Sequence, residues 1–225
     1  MSGSVPVIAI DGPAASGKGT VAEGAARLLG FRYLDSGALY RLVALKAMHS
    51  DAARTGQADL AALADTLDVS FEAGRIHLDG GDVTEAIRDE EVGVAASRVA
   101  VDAGLRRALL ERQRAFRRPP GLIAEGRDMG TVVFPDARLK IFVTATAEER
   151  ARRRHKQLIE NGKAAILDGL LRDIRERDAR DSTREVAPLR PASDATILDT
   201  TDMSIDAAIA FVVQRYQALG HARGI

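Results

Sequence analysis

Cysteine and tryptophan are both absent from this 225-residue chain, and aromatic residues make up 4% of it. Without cysteine there is no disulfide framework and no thiolate metal site. The scarcity of aromatic rings leaves few platforms on which bases could stack. Lysine plus arginine equals aspartate plus glutamate at 32 each, so no overall basic field draws in nucleic acid or an anionic membrane. Any anion site must therefore be built locally. No run approaches the roughly 18 consecutive apolar residues of a membrane span. The opening MSGSVPVIAI also lacks a basic region ahead of a long apolar stretch. The four histidines fall into no metal-ligand or catalytic pattern. What is plentiful is apolar side chain, at 46%, enough to bury a large core. The expectation is a soluble globular protein of the cytoplasm, with neither a nucleic-acid nor a membrane partner.

Strand-like and helix-like segments alternate. Val5 to Ile10 reads as a buried strand, as do Leu122 to Ala124, Leu139 to Val143 and Thr196 to Leu198, each followed by a polar or glycine-containing turn. Helical periodicity fills the gaps, most clearly from Ser204 to Leu219. There Ile205, Ala208, Ile209, Val212, Val213, Tyr216 and Leu219 form one apolar stripe behind a serine N-cap. This order predicts an α/β fold with a parallel sheet covered by helices. Val69 to Thr84 departs from it: VSF, RIHL and DV, separated by EAG and DGGD, predict short antiparallel strands in an insertion. No repeat, low-complexity tract or linker is visible, which argues against a second fold on a flexible tether.

The chemistry begins at GPAASGKGT, formed by Gly12, Pro13, Ala14, Ala15, Ser16, Gly17, Lys18, Gly19 and Thr20. It follows a strand and opens a helix, the context in which a glycine-bounded loop cradles phosphate. Its glycines let successive N–H groups turn inward, the helix N-terminus adds partial positive charge, and Lys18 adds a full one at the β/γ phosphates of a triphosphate. A glycine-rich turn with a solvated lysine is the plain alternative, but spacing, preceding strand and following helix all agree with phosphate binding. The usual pattern has serine or threonine directly after the lysine, whereas here Gly19 intervenes before Thr20. That weakens the case for a loop hydroxyl on magnesium, and the GKGT form resembles nucleoside monophosphate kinases.

A phosphate loop names no reaction by itself. Three further stretches bear on the second substrate. In LDSGALYR, Ser36 at a helix start and Arg41 on the same helix are donors suited to an anion, though an ordinary capped helix with a surface arginine has the same pattern. In EGRDMGTVVFPDA, Arg127 and Asp128 follow a strand, where open α/β sheets bind ligands; as neighbours they could also simply pair. In RERDARDSTREVAPLRPA, Arg177, Arg180 and Arg184 lie three or four apart and share a face if the helix continues, although most charge runs are solvated faces. Phosphoryl transfer between two phosphate-bearing substrates needs several such cations.

Together GPAASGKGT, LDSGALYR, AASRVA around Ser97, LRRALLERQRAFRRPPGLIAEGRDMGTVVFPDA and RDARDSTREVAPLRPA resemble the bacterial cytidylate kinase family, in order and over essentially the whole chain. The resemblance implies a single nucleoside monophosphate kinase domain over residues 1–225. It would have a phosphate-loop-type parallel sheet, a monophosphate-binding insertion at about 63–97 and a short helical lid at about 150–163. It implies transfer of the γ-phosphoryl of ATP, with Mg2+, to CMP or dCMP by a monomer. Residues 12–20 would hold ATP. Ser36, Arg41, Arg127, Arg177 and Arg184 would grip the CMP phosphate, with Lys18, Arg127, Arg177 and Arg184 as catalytic residues. Ser97, Arg106 and Asp128 would read cytosine, and Asp181 would bind sugar hydroxyls; no side chain is assigned as a direct metal ligand. Without the resemblance, Arg106 reads as a surface residue of a helix rich in glutamate and arginine.

No general base is needed for such a transfer, because the attacking phosphate oxygen is largely ionised near neutral pH, its second pKa being about 6. Positioning, charge neutralisation and exclusion of water remain, and the last implies a lid. The arginine-rich stretch Glu148 to Lys163, with Arg150, Arg152, Arg153 and Arg154, is the candidate, although Glu148 with Arg152 and Glu149 with Arg153 also stand at ordinary i,i+4 spacing. A kinase for UMP or a non-nucleotide acceptor is the nearest rival. A GTPase switch is opposed by the absence of any NKxD motif.

Overall fold

The segment VIAID, forming strand β1 (Val7–Asp11), is buried at all five positions. Four consecutive apolar residues of this kind suit a strand covered on both faces rather than one with a wet side. The computed structural model describes residues 5–50, 59–72 and 75–221. It places β1 at the centre of a five-stranded sheet with β2 (Arg32–Asp35), β6 (Leu122–Gly126), β7 (Leu139–Thr144) and β8 (Thr196–Asp199), in the order β2-β6-β1-β7-β8. The register aligns Ile8 with Ile123 on one side and Leu139 on the other, both parallel. Parallel neighbours need long crossovers, and helices provide them.

By contacts the chain divides into two compact units, Met1–Leu34 with Phe116–Ile225, and Asp35–Ala115. In the first, α1 (Lys18–Leu29) leaves the phosphate-loop sequence, while α6 (Ala147–Glu160), α7 (Leu167–Thr183) and α8 (Ile205–His221) follow the later strands. The core joins Ile8, Ile10, Ile123, Ile141, Val143 and Leu198 of the sheet to Val21, Ala22 and Ala25 of α1 and Ala208, Ile209 and Val212 of α8. Gly24 permits the close approach of these two helices, since a Cβ there would lie 2.4 Å from Ile209 Cδ1. Ser204 caps α8 as its sequence predicts, its Oγ accepting from the Ala207 N–H at 3.2 Å.

The second unit is built on α2 (Ser36–His49), packed against α4 (Glu90–Val99), with α3 (Leu60–Asp65) packed against α5 (Ala103–Arg114). The antiparallel strands expected between Val69 and Thr84 are present as β3 (Val69–Glu72), β4 (Arg75–Leu78) and β5 (Gly81–Asp82). Asp79 and Gly80, both in the left-handed region at φ 50° and 82°, make the turn between the last two.

Two features differ from expectation. The edge strand β2 goes unpredicted because RYLD buries only Leu34 and so lacks any clear apolar period. The helix α7 stops at Thr183, and Arg184 adopts an extended backbone at φ −62°, ψ 142°. Arg177 and Arg180 therefore stay on the helix while Arg184 leaves it. Among the described residues no helix is long and apolar enough to cross a membrane.

Candidate phosphoryl-transfer site

The loop between β1 and α1 turns through two left-handed residues, Ala15 at φ 58° and Gly17 at φ 85°. Gly12 is required by crowding, since a Cβ there would lie 2.1 Å from the Val143 carbonyl oxygen. Side-chain donors take up the loop's carbonyls. Pro13 O faces Lys18 Nζ at 3.4 Å, Ala14 O accepts from Arg150 Nη1 at 3.1 Å, and Ser16 O accepts from Thr200 Oγ1 at 3.0 Å. Carbonyls engaged in this way cannot turn toward an anion, which leaves the N–H groups and the α1 N-terminus to do so. Ser16 is fully buried, and its Oγ has no partner among the described residues.

Lys18 is held by a second group that its spacing does not predict. Its Nζ lies 3.4 Å from Glu125 Oε2, at the end of β6, and Glu125 Oε1 accepts from the Tyr33 hydroxyl at 3.0 Å. The same carboxylate crowds the glycine after the lysine: a Cβ at Gly19 would stand 2.9 Å from Glu125 Oε1, so a side chain there requires that carboxylate to shift. Thr20, one residue further along α1, is exposed.

Beyond β6 the chain supplies the second cluster. Arg127 Nε donates to Asp181 Oδ2 at 2.8 Å, and Arg184 Nη1 is 4.0 Å from Asp181 Oδ1. Burial pushes the Asp181 pKa up, but the charge and hydrogen bond of Arg127, with the charges of Arg177 and Arg184, outweigh it and hold the carboxyl below its ordinary value. Burial likewise pulls the Arg127 guanidinium down, and Asp181, Glu125 and Asp11 more than offset it, so its pKa is raised. Thus Arg127, Asp181 and Arg184 are gathered in one place with Arg177 within electrostatic reach. The bland alternative of an Arg127–Asp128 surface pair is not what forms. Asp128 is only 4% exposed and leads into a π-helical turn at Met129–Val133.

Asp11, the last residue of β1, is 5% exposed. Its Oδ1 accepts from the Met129 N–H and its Oδ2 from the Gly130 N–H, both at 2.8 Å. Burial pushes its pKa up to about 7, against the lowering effect of those two N–H groups. Neither alternation nor motif spacing marks Asp11 beforehand, because it directly adjoins Gly12 and reads as the start of the loop.

The arginines of the expected lid are engaged within the first unit. Arg150 is buried, paired bidentately with Asp178 of α7 and bonded to Ala145 O at 3.0 Å. Arg153 bonds Glu149 at 3.1 Å and Thr200 Oγ1 at 3.1 Å, Arg152 bonds Glu149 at 3.2 Å, and Arg154 bonds Gln157 at 2.7 Å. Of the two i,i+4 pairs read from the sequence, Glu149–Arg153 forms. Glu148 turns instead to Arg175 on α7 at 2.7 Å.

In the second unit Asp35 caps α2, its Oδ1 accepting from the Ala38 N–H at 3.2 Å, and Ser36 is buried at the first helical position. The Arg41 guanidinium donates to Ile87 O at 2.9 Å and lies against Gly93 of α4. Ser97 stands one turn beyond Gly93 on that helix, 5% exposed, with its Oγ unpartnered among the described residues. Arg106 is not at the surface: it is 8% exposed, donates to Ala100 O at 3.0 Å and sits 5.6 Å from the centre of the Tyr40 ring.

A parallel sheet whose central strand feeds a glycine-bounded loop, a lysine and a helix, with an arginine cluster beyond the neighbouring strand, defines a nucleotide-binding protein of the phosphate-loop class. The family model described as cytidylate kinase matches residues 8–218, and the chain belongs to the cytidylate kinase family. It is 59% identical to a cytidylate kinase of Burkholderia multivorans over 215 residues, covering 96% of this chain and 94% of that one. Cytidylate kinases of Bordetella bronchiseptica, at 57% identity over 96% of this chain and 97% of the relative, and of Paraburkholderia phymatum, at 58% over 95% and 94%, are similar to the same extent.

Proposed function

We propose that the chain, a nucleotide kinase, transfers the γ-phosphoryl group of ATP to CMP or dCMP in pyrimidine nucleotide metabolism, giving ADP and CDP or dCDP. The observation that carries this reading is the cytidylate kinase match over residues 8–218, in a chain whose β1 runs into the phosphate loop. We further propose a monomer acting in the cytoplasm on these small-molecule substrates, without nucleic acid or membrane.

In this reading residues 12–20 wrap the ATP phosphates, with Lys18 supplying charge at the transferring group. Arg127, Arg177 and Arg184, together with Ser36 and Arg41, hold the acceptor phosphate in line and neutralise the charge that gathers as it attacks. Asp128 and Arg106 complement cytosine, whose N4 amino group donates and whose N3 and O2 accept, while uracil would present O4 to the carboxylate. The buried Ser97 hydroxyl, without a partner among the described residues, supports a ligand contact there, since a buried hydroxyl left unpaired is costly. Asp181 would take the sugar hydroxyls.

A kinase using ATP implies a divalent metal, and Mg2+ is the proposed ion. Among the described residues no group of three or more histidine, aspartate or glutamate side chains could hold a metal. In this reading the ion would arrive with ATP, take its ligands chiefly from phosphates and water, and supply Lewis-acid charge.

The test is ADP release from ATP and Mg2+ with CMP, dCMP, UMP, AMP, GMP and no acceptor side by side. ADP formed with CMP and dCMP, matched by the diphosphate product, supports the proposal. A flat panel means another acceptor, and release without acceptor means an ATPase.

A further inference from the structure

The proposed chemistry makes no use of Asp11. We infer that Asp11 is a positioning residue for the acceptor side: by accepting from the Met129 and Gly130 N–H groups it fixes the turn carrying Arg127 and Asp128 relative to the phosphate loop that starts at Gly12. The inference rests on the acceptor roles proposed for Arg127 and Asp128.

The geometry is specific. Each oxygen of the Asp11 carboxylate takes one of two successive N–H groups, both at 2.8 Å. These are the opening donors of the π-helical turn Met129–Val133, groups that have no partner within a helical turn and must find one elsewhere. Turns of this type are rare and collect at functional sites. Asp11 is covalently joined to Gly12, so a single side chain couples the first residue of the donor loop to the residues directly after Asp128.

Core packing does not account for a carboxylate here. The rest of β1 is apolar and pairs with β6 and β7 through its backbone. Burying an ionised carboxylate is costly even when it is hydrogen-bonded, and burial raises its pKa to about 7. Of the charges acting on it, Asp128 raises that value and Arg127 lowers it. From β7 the Lys140 stem covers Gly130, where a Cβ would lie 3.1 Å from Lys140 Cδ; its ammonium is bound to Asp194 at 2.9 Å. Protonation of Asp11 would deprive one of the two N–H groups of a full acceptor and loosen the turn.

The experiment measures kcat and KM for ATP, CMP and UMP in the wild type, Asp11→Asn, Asp11→Ala and Asp128→Ala, with the thermal midpoint of each. Asp11→Asn keeps the volume but turns an amide donor toward one of the two N–H groups. The expected result is a KM for CMP raised about tenfold, the loss of one charge-assisted hydrogen bond, a reduced CMP:UMP ratio of kcat/KM, and a KM for ATP within about twofold of wild type. A lowered midpoint with unchanged KM values, or equal losses for ATP and both acceptors, would overturn the inference. Asp128→Ala separates the two levels. If it leaves the CMP:UMP ratio intact, its base-reading role fails, and Asp11 is then judged by the KM for CMP alone. If it lowers the ratio while Asp11→Asn changes neither the ratio nor that KM, the positioning role fails. Should both Asp11 variants fail to fold, Asp11→Glu, which keeps the charge but moves it by one methylene from the Met129 and Gly130 N–H groups, is measured in their place. A raised KM for CMP with the KM for ATP within about twofold of wild type supports the inference, and unchanged or equally raised KM values overturn it.

Discussion

Arg127 and Asp181 are joined by a 2.8 Å hydrogen bond from Nε to Oδ2, with Arg184 4.0 Å from the other carboxylate oxygen. The guanidinium proposed to grip the acceptor phosphate thus already holds an anion, with a third arginine, Arg177, lending its charge to the same carboxylate. On the proposed role of Arg127, an incoming phosphate would compete with Asp181 for it, so replacing that carboxylate by its uncharged isostere should relieve the competition. Asp181→Asn is expected to bind inorganic phosphate, which has no sugar, several-fold more tightly in calorimetry at pH 7.5, while its preference for CMP over bare phosphate narrows. Weaker phosphate binding in the variant would mean that Asp181 orients Arg127 for the phosphate instead of competing for it.

Lys18 and Asp128 should separate cleanly in steady-state kinetics. On the role proposed for it, Lys18→Ala withdraws a positive charge from beside the transferring phosphoryl group, and kcat is expected to fall about a hundredfold or more with every acceptor, the usual scale for losing one electrostatic donor. Asp128→Ala is expected to spare UMP turnover and to lower kcat/KM for CMP about ten- to a hundredfold, the worth of a lost base contact of roughly 1–3 kcal/mol. Equal losses of CMP and UMP activity in the second variant would end its assignment as a base reader.

Gly19 offers a sharper steric test. Serine is what the common form of the loop has at this position, yet its Cβ would come 2.9 Å from Glu125 Oε1. That oxygen is also bound to Tyr33, and its partner oxygen faces Lys18. Gly19→Ser should therefore displace Glu125, lower the thermal midpoint and raise the KM for ATP. Gly19→Ser combined with Glu125→Ala should recover part of the lost stability. A single variant as stable and as active as wild type would show that Glu125 moves aside without cost.

Most of the fold was legible because burial is written in the strands: VIAI is apolar throughout and LKIFV at four of its five positions, and the serine-led stripe of α8 has a clear helical period. The edge strand RYLD was not, since an edge strand buries too little to show a pattern. The phosphate loop was readable from spacing, and so was the need for several arginines. The partners of those arginines were not. That Arg150 would bind Asp178, or Arg127 bind Asp181, depends on pairs 28 and 54 residues apart, a relation set by helix placement rather than by local order. The same holds for Glu125 and Asp11, whose roles come from standing at the ends of adjacent parallel strands.

Asp11 also makes a prediction about stability with a definite sign. Its pKa is raised from 3.8 to about 7 in the folded protein, so between those values the folded chain keeps a proton that the unfolded chain has released. Linkage then requires stability to fall as pH rises through that window, by about 1.4 kcal/mol for each unit of the raised pKa. Below about 4 and above about 7 the two states carry equal charge at this site, and its contribution is flat. Asp11→Asn has no such group. Urea unfolding at intervals from pH 4 to pH 8 should show the variant gaining stability relative to wild type until about pH 7, and no further change above it. Parallel curves for the two proteins would mean that Asp11 is ionised throughout, its charge fully supported by the Met129 and Gly130 N–H groups and Arg127.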